Sequence, residues 1–468
     1  VSASISDIND LSKQIADINL MISKTQGQFG TDANDLLDQR DQALLELNEL
    51  IGTTSVEQAD GSVSVFIGNG EALVLGERAI AMRTVPNPFE PGRTEIAMDV
   101  GGSLAVISGS LRGGSLGGTL SFRDGVLNDT RNELGRITVA IADTLNTINR
   151  AGMDLKGAQG GAIFSVPDPD VFRSRNNTSG AEITAQITDV SALNGSNTLI
   201  RLDGSGWRFF DESSGAELTG VTGSGSVVDP FVVDGVSLSL TSAAAVGDQF
   251  LLRPTRGAAE NLKVVMTDPA GIAAAAATRS TADLNNIGSG KISETDVVDS
   301  SNPNLLDAVD IQFLSPTSYQ INGAGSFSYA SGSDITINGN KVVITGSPQA
   351  GDSLTIAANT NALGDNRNLL KMAGAESSKV LNGGSASIQD TVNGLVGNIA
   401  VATRSAQINQ QSQENLLNQT RSNQQAISGV NLDEEAANLL KFQQAYQAAA
   451  QAAGVANDLF QALMGAFR

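Results

Sequence analysis

The last 81 residues, 388–468, hold two long helical patterns in which apolar residues recur at steps of three and four while charged residues almost disappear. From Ala436 onward only Lys441, Asp458 and Arg468 carry charge. A helix with so few charges and a ladder of small alanines suits close contact with other helices and is poorly suited to lying alone in water. The pattern therefore predicts an assembly surface rather than an active site.

The first of these patterns predicts a helix that begins near residue 388 and breaks at Ser428-Gly429. Its inward-facing seam is apolar at the start and mixed later, and the apolar seam residues are Ile388, Val392, Leu395, Ile399, Leu416 and Ile427. Asn409, Gln413 and Asn423 also fall on this seam. Because a buried amide costs stability unless it is paired, we expect these three to fix the register against a partner helix.

The second pattern predicts a helix that begins after Asn431, which forms a capping-box pattern with Glu434. Acidic residues at 433–435 occupy the first turn, where the helix dipole favours negative charge. The residues predicted to form the assembly interface lie on one face: Leu432, Leu439, Phe442, Tyr446, Ala449, Ala453, Ala456, Phe460, Leu463 and Phe467. An ordinary core helix is the alternative, which the length of the pattern disfavours. Amide and charged side chains interrupt every run of about 18 residues, so membrane insertion is not predicted.

The chain has neither His nor Cys. This composition removes thiolate nucleophiles, imidazole acid–base chemistry, thiolate zinc sites and disulfides. The formal net charge of -21, from 29 basic and 50 acidic residues, opposes binding to nucleic acid and to anionic lipid. We therefore predict a protein that is not an enzyme, with no cofactor and no catalytic, cofactor-binding or metal site.

Helical spacing is already in phase at the start of the sequence, through Ile8, Leu11, Ile15 and Ile18, and Val1 is not Met. We expect from this that the sequence starts partway through a helix, and that a preceding segment pairs with the helices at the other end.

The first 150 residues alternate between helical and strand periodicity. A helix ending near Gly27 and another from about residue 33 to Ile51, with Asp32 as its N-cap, predict a helical hairpin. Period-two alternation from 55 to about 107 then predicts a small sheet packed on these helices. Residues 113–118 read as a glycine-rich connector, after which helical spacing returns from Leu120 to about 149.

Residues 160–375 have a pattern typical of an all-β region. Short runs of β-branched residues are separated by Gly, Ser, Thr, Asn and Asp. An internal duplication is visible, because Asp234-Gly235 followed by 247–250 matches Asn338-Gly339 followed by 351–354 at a constant offset. We predict two similar β modules in tandem, with 269–280 as the passage between them. Chance similarity of Gly-Asp turns is the alternative.

These patterns predict an α+β multidomain fold. Its base is a bundle or coiled coil of long helices formed by both chain ends, with a small β element, and all-β modules are inserted into it. The predicted domains are the helical base at 1–160, β modules at 161–270 and 271–375, a return helix at 376–430 and a C-terminal inner-core helix at 431–468.

Several motifs resemble the family of flagellar hook-associated protein 1, a junction protein between hook and filament in bacterial flagella. The matching segments are Asn34-Asp-Leu-Leu-Asp-Gln-Arg-Asp41, Val65-Phe-Ile-Gly-Asn-Gly70 with Leu73-Val-Leu75, Phe122-Arg-Asp124, Asn149-Arg-Ala-Gly-Met-Asp-Leu155, Gly364-Asp-Asn-Arg-Asn-Leu369, and 429–439 with Gln443-Gln-Ala-Tyr446. They cover 1 to about 155 and 364–468, whereas the middle β region shows no diagnostic match. We expect from the resemblance that this sequence lacks the family's N-terminal helix, and Asn149 stands where the family often has His.

The resemblance implies a structural component of the flagellum that joins hook to filament by self-assembly through its terminal helices. It implies export from the cytoplasm by the flagellar type III system, an extracellular location, and an export chaperone on the C-terminal helix. The implied partners are other copies, the hook protein and the second junction protein. Another flagellar axial protein of the hook type is the close alternative, because rod and hook proteins share a similar ending.

Other candidate sites are better explained by structure than by chemistry. Local acid pairs, at 168/170, 211/212, 296/299 and 307/310, are typical of turns rather than of a glycosidase. Arg40 is expected to pair with a carboxylate across the helical layer, and Gly68-Asn69-Gly70 to form a hairpin turn. Trp207 is expected in a β core; as an exposed sugar platform it would instead indicate a secreted glycan-binding or adhesive protein.

Overall fold

The structure is a computed structural model that describes residues 1–29, 34–360, 362–428 and 432–466. It is an α+β fold, as predicted, with long helices at both ends of the chain. The helices are α1 (Ser2–Phe29), α2 (Asn34–Leu50), α3 (Gly114–Phe122), α4 (Asn128–Arg150), α5 (Ala258–Asn261), α6 (Arg367–Ala373), α7 (Ile388–Ser428) and α8 (Leu432–Ala466). The chain divides into two compact units, Val1–Gly397 and Asn398–Arg468.

The predicted helical hairpin is present, because α1 and α2 pack against each other over one hydrophobic core. The core positions of α1 recur at helical spacing, and Ile8 and Ile15 are fully buried there, as is Leu47 of α2. The expected N-cap of α2, Asp32, lies outside the described residues.

Seven strands follow the hairpin, and four of them contribute buried residues to the same core. They are β1 (Thr53–Glu57), β2 (Val63–Ile67), β3 (Glu71–Leu75), β4 (Arg78–Ala79), β5 (Met82–Pro86), β6 (Thr94–Val100) and β7 (Ser103–Val106). They form two antiparallel sheets, in the orders β1-β2-β3-β4 and β5-β6-β7. Gly68-Asn69-Gly70 turns the chain between β2 and β3, as predicted, and both glycines have positive φ.

The prediction that Arg40 pairs with a carboxylate was wrong. Arg40 is buried, and its Nη1 donates to the carbonyl of Gly61 at 2.6 Å and to Oδ1 of Asn19 at 3.5 Å. Asn19 in turn bonds both backbone groups of Val63. The pair therefore ties the hairpin to the turn between β1 and β2, where a carbonyl replaces the anion that local sequence suggested.

The prediction of a glycine-rich connector at 113–118 was also wrong, because helix α3 begins at Gly114. A Cβ on Gly114 would overlap the backbone of Leu50, and one on Gly117 would lie 2.7 Å from the carbonyl carbon of Arg112. These glycines let the backbones at the end of α2 and the start of α3 approach closely. Their lack of side chains therefore serves helix packing and not flexibility.

A π-helical turn, Arg123–Leu127, joins α3 to α4 without interrupting the helical path. The sequence predicted plain helical spacing here, and the inserted residue was not foreseen. The turn directs Arg123 and Asp124 to β6, where Arg123 Nη1 donates to the carbonyl of Thr94 at 2.8 Å.

After α4 come the short strands β8 (Gly152–Met153) and β9 (Phe164–Ser165), and then a module of two sheets. Its strands are β10 (Asp170–Arg173), β11 (Ile183–Ile187), β12 (Thr198–Asp203), β13 (Gly206–Asp211), β14 (Phe231–Val233), β15 (Val236–Leu240) and β16 (Gln249–Arg253), which we name module 1. The sheet orders are β10-β16-β12-β13 and β11-β15-β14.

Beyond β17 (Lys263–Val264) and β18 (Ala275–Ala276), a second module repeats this plan. Module 2 comprises β19 (Thr278–Ala282), β20 (Lys291–Val297), β21 (Val309–Ser315), β22 (Ser318–Ile321), β23 (Ala324–Ser328), β24 (Asp334–Ile337), β25 (Asn340–Thr345) and β26 (Ser353–Ala358). Its sheets have the orders β19-β26-β21-β22-β23 and β20-β25-β24. Apart from the added strand β23, the strand orders are those of module 1, so the predicted duplication is confirmed.

Matching hydrogen bonds fix the same loops in both modules. The turn residues 234–235 have φ values of 47° and 77°, and residues 338–339 have 48° and 78°, as a type I′ hairpin turn requires. Asn177 bonds both backbone groups of Gln249, and Asn286 bonds both backbone groups of Ser353. The repeated Gly-Asp pairs are thus parts of one repeated structure and not chance turns.

Candidate assembly interface

Helix α8 is exposed along its whole described length. Leu439, Phe442 and Tyr446 are 69%, 71% and 77% exposed, and every side chain from 433 to 464 belongs to the exposed class. Ala449, Ala453, Ala456, Phe460 and Leu463 continue the same face. An apolar stripe of this length without a covering element is typical of a surface that another chain covers.

Two of the residues predicted for this surface are less fully described. Leu432 begins α8, but its side chain is not described, and Phe467 lies outside the described residues. The capping residue Asn431 and the break at Gly429 also lie outside them.

Helix α7 begins in a capping box that the sequence analysis missed. Ser387 Oγ accepts the backbone N–H of Asp390 at 3.0 Å, and Asp390 Oδ2 accepts the N–H of Ser387 at 3.1 Å. The Ser387 hydroxyl also lowers the pKa of the Asp390 carboxyl. The helix start is therefore fixed next to the strands β27 (Lys379–Leu381) and β28 (Ala386–Ser387).

The first turns of α7 are anchored, and most of the described side chains beyond them are exposed. Ile388 is buried and Leu395 half-buried against Ile137 and Ala140 of α4. The other predicted seam residues that the structure describes, Val392, Ile399 and Leu416, are exposed, and the side chain of Ile427 is not described. Among the seam amides, Asn423 accepts a hydrogen bond from Gln419 one turn earlier, so it is paired within its own helix.

Helix α4 provides the anchor for α7, through one buried arginine. Arg136 donates to Glu133 at 2.6 Å, to the carbonyl of Leu193 in module 1 at 3.1 Å, and to Oδ1 of Asn382 at 2.8 Å. Asn382 occupies the turn between β27 and β28. One guanidinium thus joins α4, module 1 and the hairpin from which α7 starts.

A second buried node fixes the path between base and modules. Asn149, at the end of α4, donates to the carbonyl of Gly161 at 2.8 Å and accepts the N–H of Ala273 at 2.8 Å. Asn368, at the start of α6, donates to the carbonyls of Ile148 at 2.8 Å and Ala273 at 2.7 Å. We name Asn149 and Asn368 the asparagine node. It connects segments that lie up to 220 residues apart, and it holds the modules on the helical base.

The returning segment 364–369 adds an ion pair next to this node. Arg367 lies 2.7 Å from Asp365, whose carboxylate also accepts from Asn359 Nδ2 at 2.8 Å. The hydrogen bond from the Arg367 side chain is the main cause that lowers the pKa of Asp365 to about 2, while partial burial opposes the shift. The charged form is therefore favoured in the fold.

Asp365→Asn is expected to reduce thermal stability at pH 7 and to have little effect at pH 2. Because the pKa in the folded chain is below the unfolded value near 3.8, the carboxylate contributes stability above about pH 4, and this contribution is lost as the pH falls toward 2. Unfolding temperatures at pH 7, 4 and 2 measure the effect, with Asp17→Asn on the exposed face of α1 as control. An equal difference from wild type at pH 7 and pH 2 would contradict the ionic origin.

Trp207 and members of two local acid pairs, Asp211 and Asp299, take part in structural contacts. Trp207 packs into module 1 as expected, with its ring centroid 6.0 Å from that of Phe231 and 6.1 Å from that of Phe250. Asp211 and Asp299 accept hydrogen bonds from serines two or three residues on, as turn residues do. Within the described ranges no cluster of acidic side chains has a metal-binding arrangement, and no helix is long and apolar enough to span a membrane.

Three protein-family models match the chain. Residues 1–164 match the helical domain of flagellar hook-associated protein FlgK, and residues 172–254 match the D2-like domain of flagellar hook-associated protein 1. Residues 423–466 match the C-terminal region of the flagellar basal body rod proteins FlgEFG. The matches cover the first 164 residues, module 1, and helix α8 with the last turn of α7.

Individual relatives agree with these models. Flagellar hook-associated protein 1 of Escherichia coli is 32% identical over 99% of this chain and 70% of its own length, and that of Salmonella typhimurium is 29% identical over the same shares. The solved flagellar hook junction protein FlgK of Burkholderia pseudomallei has 28% identity and a TM-score of 0.79, over 91% of this chain and 83% of that one. The fold and the exposed terminal helices are therefore those of an axial protein of the bacterial flagellum. Within that class, the chain belongs to the flagellar hook-associated protein 1 family.

Proposed function

We propose that this chain is a non-enzymatic structural subunit of the junction between flagellar hook and filament. It assembles through α7 and α8 with copies of itself and with neighbouring axial proteins, namely the hook protein and the second junction protein. The observation that carries the proposal is the uncovered apolar face of α8, which includes Leu439, Phe442 and Tyr446.

The same apolar face of α8 explains why the subunit would need a chaperone before assembly. An apolar helix that has no cover in the free chain needs a partner in the cytoplasm, and an export chaperone on α8 supplies one. The subunit then leaves the cell through the flagellar type III system, and neighbouring subunits replace the chaperone. Anchoring of the first turns of α7 to α4 by Ile388 and Leu395 gives the assembly helices a fixed origin on the base.

Hydrogen exchange tests the proposal. The amides of 433–466 are expected to exchange rapidly in the free chain, because the exposed helix lacks tertiary cover, and to become protected on assembly or chaperone binding. The buried strands β15 and β25 act as internal controls whose protection stays the same. Strong protection of α8 in the free monomer, or none in assembled flagella, would argue against assembly through this helix.

A further inference from the structure

A cleft of about 630 Å³ lies where the loop before β6, the start of α4 and module 1 meet. Its walls carry Arg93, Arg123, Arg131 and Arg256 but one carboxylate, Glu90, and its apolar lining includes Leu127 and Phe172. Such a concentration of guanidinium groups contrasts with the chain as a whole, whose net charge is -21. The lining of the cleft is thus rich in arginine, although the protein as a whole is acidic.

Most arginines around the cleft have carboxylate partners. Arg93 lies 3.0 Å from both Glu95 and Asp124, Arg123 lies 2.6 Å from Asp124, Arg131 pairs with Glu260, and Arg253, buried behind the wall, forms a two-pronged pair with Glu90. These four arginines use four carboxylates. The pairs hold the cleft's walls in place and fix their donors.

Arg256 is the fifth arginine, and in the described part of the chain it forms no ion pair. Its Nη1 is buried and has no hydrogen-bond partner among the described residues. Burial lowers the pKa of Arg256, and nearby Arg253, Arg131 and Arg93 lower it further, while Glu90 opposes them. Arg256 as a whole is half-buried, and an anion that enters the cleft would give its guanidinium a partner.

The lining of the cleft defines the chemistry of that anion. A planar guanidinium with free donors binds carboxylate or phosphate, and the apolar atoms of Leu127 and Phe172 favour an anion carried on an aliphatic stem. The chain carries 50 Asp and Glu residues, so an identical neighbour presents many such groups. Two copies with a net charge of -21 each repel one another, and a positive cleft that accepts an acidic side chain reverses this repulsion locally.

We infer that this cleft binds a carboxylate side chain of a second copy of the chain, and that Arg256 is the residue that receives it. This inference rests on the proposed function, in which copies stand side by side. Arg256 is then a determinant of lateral contact between subunits, separate from the apolar surface of α8.

Arg256→Gln is expected to act in opposite directions on the free chain and on self-association. Because the variant removes a charge that partial burial and three neighbouring arginines disfavour, the unfolding temperature of the free chain should rise by about 1 to 3 °C. The association constant, measured by sedimentation velocity of the whole chain at low salt, should fall about tenfold. Arg83→Gln makes the same charge change at an exposed position on β5 and should alter neither quantity.

Thermal unfolding in matched salts identifies the anion. Sodium glutamate should raise the unfolding temperature of wild type above its value in sodium chloride of equal ionic strength, and should not do so in Arg256→Gln. Stabilisation by sodium phosphate without an effect of glutamate would indicate a free oxyanion instead and overturn the inference. So would a wild type that does not self-associate, or an Arg256→Gln variant that associates as wild type does. Absence of the wild-type protein from the hook–filament junction would instead overturn the proposed function.

Discussion

Leu439→Asp or Phe442→Asp is expected to abolish incorporation of the subunit into flagella while leaving the folded chain unchanged. Both side chains are largely exposed in the free chain, so a substitution there should change its free energy of unfolding by no more than about 0.5 kcal/mol. In the assembly the same positions would be buried, and an unpaired buried charge costs about 3 to 5 kcal/mol. That cost corresponds to a loss of binding of about 10²- to 10⁴-fold.

The measurements are swimming on soft agar, immunolabelling of the junction and thermal unfolding of the purified chain. Gln444→Asp provides the matched control, because it adds the same charge to an exposed position about half a turn away from the apolar series. It should be incorporated better than either apolar variant. Normal motility with Leu439→Asp and Phe442→Asp would show that this face does not carry the assembly, and a lowered unfolding temperature would show that it is covered within the chain.

The parts of the fold that could be predicted are those that local sequence encodes. Helical periodicity located the α1–α2 hairpin, α7 and α8, and turn chemistry at 234–235 and 338–339 located the paired hairpins of the duplicated modules. The uncovered residues on α8 were predictable for the same reason, since their spacing and the lack of charge are visible without a structure. Their role in assembly stays a prediction.

What could not be predicted depends on contacts between distant segments. Nothing near Asn149 in the sequence indicates that Ala273 is its partner, and nothing near Arg136 points to Asn382, which is 246 residues away. Contacts between distant segments also explain why the partner of Arg40 is a carbonyl and not a carboxylate. They explain the close helix packing at Gly114 as well. The one usable signal was that Asn149 and Asn368 lie inside motifs that the resemblance singled out, although their structural reason was hidden.

The second prediction with a large effect concerns the asparagine node. Substitutions at two adjacent glycines, Gly160 and Gly161, test how closely the chain packs against it. A Cβ on Gly160 would overlap the carbonyl oxygen of Asn149 and lie 2.8 Å from Cβ of Ala273, whereas a Cβ on Gly161 would meet nothing within 4 Å. Gly160→Ala is therefore expected to lower the free energy of unfolding by about 2 to 3 kcal/mol, because helix backbone cannot move aside. Gly161→Ala should be neutral or stabilise by up to about 1 kcal/mol, since it restricts the unfolded chain.

Urea unfolding of the two variants compares them directly, and the difference between neighbouring positions cancels the general effect of adding a methyl group. If the node holds the modules on the base, Gly160→Ala should also increase proteolysis between α4 and module 1, where the chain passes through 151–169, and Gly161→Ala should not. Equal stabilities would mean that the backbone around Asn149 can relax. In that case the connection of module 1 to the helical base would depend on Arg136, which donates to the carbonyl of Leu193, and on Arg253, which pairs with Glu90.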